Sequence, residues 1–155
     1  MKSEGECYSI DHLKRDKKTP WSGVRNFQAR NFMRDRMCIG DMVLYYHSNG
    51  PTGAGGENPT GIYGLAKISS KSYEDKTARD PKDEHFDPKS KSPTYKPTWF
   101  LVDVAFVKKF KKPMSLAEIK IDPKLDGMLV RERGSRLSIQ PVSEKHFKYI
   151  VTKCE

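Results

Sequence analysis

Apolar residues in this chain come in short bursts set between polar stretches. Met42-Val43-Leu44-Tyr45-Tyr46-His47 is nearly all apolar and aromatic, the pattern of a buried strand. Gly61-Ile62-Tyr63-Gly64-Leu65-Ala66-Lys67-Ile68 reads as a second strand, and its glycines suggest the bending found in a small barrel. Thr98 to Val107 is apolar on both faces and is expected inside a sheet. Arg136 to Val142 alternates as a last strand would. Between Val24 and Arg36 the spacing is helical. Ala29, Phe32, Met33 and Arg36 share the face assigned to the core, while Phe27, Arg30, Asn31 and Arg34 share another. That second face mixes one aromatic ring with basic and amide groups, so it borders either a ligand or water.

Capping residues mark the helix starts. Ser9 can cap a brief helix, Ser115 and Glu118 have capping-box spacing, and Ser143 can cap a terminal helix whose Phe147, Ile150 and Val151 turn inward. Lys14 to Lys18 reads as a charged connector, and Pro20 sets an extended approach to Trp21. Asn49 to Pro59 is rich in Gly and Pro and reads as a loop. Ser69 to Pro97 holds many Lys, Asp, Ser and Pro residues, and its low apolar content favours a mobile, solvated segment over a functional one. No repeat or domain boundary is visible, so residues 1–155 are read as one α+β domain built on several curved strands.

Charge changes this picture more than composition does. Apolar residues make up 35% of the 155 and charged residues 32%, which gives one ordinary core under a heavily charged surface. The formal net charge is +9, from 29 Lys+Arg against 20 Asp+Glu. That surplus favours polyanionic partners, although acidic residues are interspersed almost everywhere. Cys7, Cys38 and Cys154 are far apart and odd in number, which argues against a zinc site, a disulfide framework or a disulfide-linked partner, and for a reducing compartment. No apolar run is long enough for a membrane helix, and Met1 to Glu6 lacks a signal-peptide core, so no membrane association is expected.

The densest candidate chemistry lies in Pro20-Trp21-Ser22-Gly23-Val24-Arg25-Asn26-Phe27-Gln28-Ala29-Arg30-Asn31. A flat aromatic face beside amides and guanidinium groups suits a nucleobase, whose face stacks while its edges are read by polar groups. A tryptophan plugging the core is the plain alternative. His47-Ser48-Asn49, at a strand end, could line a site or simply form a turn. Gly134-Ser135-Arg136-Leu137-Ser138 could bring backbone and one guanidinium to a phosphate or base edge, or be a strand-entry turn. None of these clusters forms a catalytic triad or a metal loop. Asp80, Asp83, Asp87 and Asp103 are scattered, and no cofactor is implied.

Taken in order, these blocks resemble the EVE domain family over nearly the whole chain: Lys2-Ser3-Glu4, Pro20 to Asn31, Gly40-Asp41, Tyr46-His47-Ser48-Asn49, Trp99 with Val102-Asp103-Val104, and Gly134 to Val142. The resemblance implies a PUA-like curved pseudo-barrel of five to six strands with short flanking helices. It places the chain near the YTH domains, which hold a methylated adenine in an aromatic cage. It also implies a non-enzymatic module that binds a modified base, modified cytosine in DNA ahead of RNA.

Carried over by motif, Lys2 and Ser3 match the lysine–serine pair of the family's first strand, and Trp21-Ser22 resembles a cage wall. Asn26, His47, Ser48, Arg136, Leu137 and Ser138 fall in signature blocks placed around the pocket. Arg25 and Arg30 are assigned to phosphate or pocket support. On this reading Trp21→Ala removes binding and leaves the fold intact. A bacterial member would be cytoplasmic and a eukaryotic one nuclear. Two rivals stay open: a nucleotide- or nucleic-acid-processing enzyme using His47, Asp41 and Asp103, and a sensor of free nucleosides.

Overall fold

The structure is a computed structural model that describes residues 1–50, 58–134 and 137–155. Its elements are β1 (Lys2–Glu4), α1 (Ile10–Asp16), β2 (Lys18–Pro20), α2 (Phe27–Asp35), β3 (Met42–Ser48), β4 (Gly61–Ile68), β5 (Tyr73–Glu74), β6 (Phe100–Leu101), β7 (Asp103–Ser115), α3 (Leu116–Ile121) and α4 (Glu144–Cys154), with short 3-10 turns between them. Five strands form one sheet in the order β1-β3-β4-β7-β2, and β5 and β6 form a small second one. β1 runs parallel to β3, and the other pairs are antiparallel.

Both faces of the large sheet are buried, which is why β3 shows no polar alternation. Val43 and Tyr45 enter a cluster with Ile10, Leu13, Ala29, Met33, Val102 and Val104, under α1 and α2. Leu44 and Tyr46 enter another with Phe110, Ile119, Leu125 and Ile150, under α3 and α4. The pairing register shifts along β4 against both neighbours, which bends the sheet there. Gly64 permits that packing: a Cβ on it would lie 2.3 Å from the Lys108 carbonyl oxygen.

The cap expectations hold. The side chains of Ser9, Ser115 and Ser143 each accept a backbone N–H of the first helical turn. The predicted helix at Val24 begins only at Phe27, because Asn26 is its N-cap and Oδ1 accepts the Ala29 N–H at 3.0 Å. Thr98 to Val107 divides into β6 and the start of β7, with β7 inside the sheet as expected. Residues 137–142 are not a strand: Ser138 accepts the Lys2 N–H at 2.8 Å and so covers the outer side of β1 without extending the sheet.

The architecture is a mixed α+β domain. Among the described residues the five-stranded sheet does not close into a barrel; β1 and β2 are its two margins. Ser69 to Pro97 is folded over the surface and not merely solvated. Side chains of Asp75, Asp80, Asp83 and Asp87 each accept the backbone N–H two residues on, at 2.8–3.1 Å, giving four successive side-chain turns.

Candidate functional site

The two margins of the sheet border one cavity. Lys2, Ser3 and Glu4 of β1 and Thr19 and Pro20 of β2 line it, together with Trp21, Ser22, Gly23 and Arg25 from the segment entering α2. Tyr8, Ser138 and the pair Glu84–His85 complete the wall. Its volume is about 530 Å³, within the ~300–1,000 Å³ range of small-ligand sites.

Trp21 is fixed before any ligand arrives. Its N–H donates to the Val102 carbonyl at 2.9 Å, and its ring meets Tyr45 edge-on at 5.7 Å. The ring is 8% exposed, so it serves the core and the cavity wall at once. The core-plug alternative therefore holds, and the same residue also lines the cavity. Tyr45 donates through its hydroxyl to the Tyr8 carbonyl at 2.9 Å, and Ser3 Oγ donates to the same oxygen at 2.8 Å.

Gly23 turns the chain with φ +81, a conformation that glycine adopts without strain. It also leaves room for His85, whose ring would lie 2.8 Å from a Cβ at this position. The Gly23 N–H donates to Asp75 Oδ2 at 2.9 Å. Asp75, 1% exposed, also receives Arg25 Nη1 at 2.8 Å and the Thr77 hydroxyl at 2.6 Å. Burial by itself would raise its pKa, but hydrogen bonds from Arg25, Thr77 and the Gly23 amide hold it below the ordinary carboxylate range. Arg25 further donates to the His85 carbonyl at 2.7 Å and to Thr77 Oγ1 at 2.9 Å. One carboxylate and one guanidinium thus pin the 69–97 segment beside Trp21.

Other expected site residues have different places. Asn26 spends its side-chain oxygen on capping α2. Arg30 donates to the Thr98 carbonyl and to Asn31, and its guanidinium lies over Phe27 and Trp99. Leu137 packs against the core cluster beside Ser138 and is not among the cavity-lining residues. Arg136 lies outside the described residues. His47 and Ser48 line a different cavity with Asn49, Tyr63 and Lys109. Ser48 Oγ donates to the Ser3 carbonyl at 3.2 Å, a contact that supports β1.

His47 is 7% exposed, stacks on Tyr63 at 4.0 Å, and accepts the Ile10 N–H on Nε2 at 3.0 Å. Desolvation lowers its pKa to about 4, so the ring is neutral at physiological pH. Asp41 and Asp103, its partners in the enzyme reading, are not beside it in that cavity. Asp41 accepts the Cys38 N–H, and Asp103 is held by Tyr73 and Lys18.

Sequence reasoning missed Tyr8, Thr19, Glu84 and His85 as wall residues. For His85 a signal existed: the Asp-x-His spacing from Asp83 is that of a side-chain turn.

An open sheet with helices on both faces, and an aromatic-walled cavity between its margins, define the class: the chain belongs to the EVE domain family, whose sequence model matches residues 1–153. It is 38% identical over 139 residues to thymocyte nuclear protein 1 of Danio rerio, an alignment covering 85% of this chain and 56% of that protein. The chain therefore spans little more than half the length of that relative. A crystal structure of a Pseudomonas syringae protein superposes with a TM-score of 0.88 at 38% identity, covering 100% of this chain and 97% of the other. A crystal structure of human THYN1 protein in complex with 5-methylcytosine containing DNA superposes with a TM-score of 0.85 at 36% identity, covering 100% and 95%.

Proposed function

We propose that this domain is a non-enzymatic reader of a modified nucleobase, with modified cytosine in DNA as its ligand. The observation that carries the reading is the Trp21 ring forming one wall of an open cavity lined by Ser3, Thr19, Ser22 and Ser138. The base stacks on the indole, a contact worth about 1–3 kcal/mol on an aromatic platform. Hydroxyls and nearby backbone groups read its edge. Lys2 lines the cavity, but its ammonium lies over the Tyr46 ring, 5.8 Å from the centroid. The solved complex of the human relative with 5-methylcytosine DNA supports this ligand class.

The curvature that brings β1 and β2 to one cavity supports a PUA-like pseudo-barrel. Arg25, Arg30 and Asn26 act as support, holding the loop and helix that carry the wall. Cys7 is the one thiol in the lining, and its hydrogen bond to Glu4 raises its pKa, which opposes a nucleophilic role. Nuclear residence follows if the source is eukaryotic.

The test is a titration at fixed salt with oligonucleotides carrying 5-methylcytosine, 5-hydroxymethylcytosine, N6-methyladenine or no modification. Wild type is expected to prefer a modified cytosine, and Trp21→Phe to weaken that binding about five-fold or more while keeping the core filled. Equal affinity for all four strands would overturn the proposal.

A further inference from the structure

One face of α2 is not absorbed by the cavity. Phe27 opens the helix, is 57% exposed as a residue, and belongs to neither core cluster. The ring is nevertheless held. It stacks on Trp99 at 4.9 Å and 27°, and the Arg30 guanidinium lies 5.1 Å from its centroid.

Trp99 is itself fixed, 7% exposed, with Nε1–H donating to Asp87 at 2.8 Å. The Arg25 guanidinium lies 5.4 Å from the Trp99 ring, and Arg25 also lines the cavity. Arg34, one turn beyond Arg30, covers Phe100 at 5.7 Å and pairs with Asp35 at 2.6 Å. Phe27 and Trp99 thus form a ring pair flanked by Arg30 and by Arg25, which also lines the cavity. An exposed aromatic held rigid beside cations loses little conformational entropy on binding, and its free face accepts any base.

We propose that Phe27 is a second, sequence-tolerant stacking platform for a base flanking the one in the cavity. A base that leaves its stack leaves neighbours unstacked, at a cost of a few kcal/mol. An aromatic side chain beside the pocket offsets that cost by taking the place of a lost neighbour. The proposal draws on the reading of the cavity only for where the strand runs; stacking on Phe27 needs no modification.

The experiment compares wild type, Phe27→Ala and Phe27→Trp on three ligands at fixed salt: a modified single strand, the same strand unmodified, and the free modified nucleoside. Phe27→Ala is expected to lose about five-fold or more in affinity for both strands and to keep nucleoside affinity and melting temperature, with Phe27→Trp restoring the loss. Wild-type strand affinity in Phe27→Ala overturns the platform whatever the cavity binds, and so does an equal loss on the free nucleoside. Loss on both strands in Phe27→Ala, with a wild type that does not distinguish them, keeps the platform and removes the modified-base reading. Failure of wild type to bind any strand removes both.

Discussion

His47 shows how a residue that attracts a catalytic reading can serve architecture. Its Nε2 takes the Ile10 N–H at the start of α1, so a protonated ring would place a donor against a donor. The folded pKa of about 4 lies below the unfolded histidine value of about 6.5, so the unfolded chain binds the proton first. The associated stability is fully present above pH 6.5 and falls as pH drops from there toward 4, by ~3 kcal/mol at 1.36 kcal/mol per pH unit. Denaturant midpoints measured across that window are expected to decline in wild type and to flatten in His47→Gln, which keeps an acceptor. An undiminished slope in the variant would show that other groups carry it. Trp21 is the companion case: the ring is packed in the core, so Trp21→Ala costs about 3–5 kcal/mol and does not leave the fold untouched as the sequence suggested.

Among the elements, those stabilised by their own pattern were legible and those stabilised by a partner were not. β3 and β4 announced themselves through continuous apolar runs, and the helices headed by Ser9, Ser115 and Ser143 through caps and inward-facing residues. β2 is three residues long, carries no alternation, and exists because β7 offers it a ladder from Asp103 to Ala105, so Lys18 read as connector. The 69–97 segment lacks apolar content because aspartate turns and one buried ion pair hold it in place of a core. Low apolar content hid its folding, although the Asp-x-His spacing at Asp83 was a signal of these turns. Asp75→Asn keeps the shape but leaves Arg25 without its charge partner, and breaking a buried pair costs about 3–5 kcal/mol. Chemical denaturation should show a loss on that scale together with loss of strand binding. A midpoint like that of wild type would mean the segment is held elsewhere.

For the molecule as a whole, the surplus of +9 bears on any polyanionic partner. Part of the positive charge is already engaged, as in Lys108–Glu155, Lys109–Asp11 and Lys153–Asp122, so on the proposed reading only a fraction would meet phosphate. Each phosphate contacted adds about −0.9 to the slope of log affinity against log salt on duplex DNA and about −0.7 on single strands. Titrations over a range of salt are expected to give a slope steeper than about −2, alike for modified and unmodified strands. A flat line would assign recognition to the cavity alone. The family was readable because Lys2-Ser3 and Trp21-Ser22 sit in recognisable blocks, and these four residues line one cavity. The seating of His47 and Ser48 in another cavity was not, because that cavity is completed by Tyr63 and Lys109, which lie on β4 and β7 and are distant in sequence.

The cavity has β1 on one side and β2 on the other, and these strands are the two ends of a single open sheet. Such a hollow is owned by no local segment. It vanishes if either end peels away, so any guest seated in it would work as a clasp across the seam, and its binding would be coupled to tertiary closure.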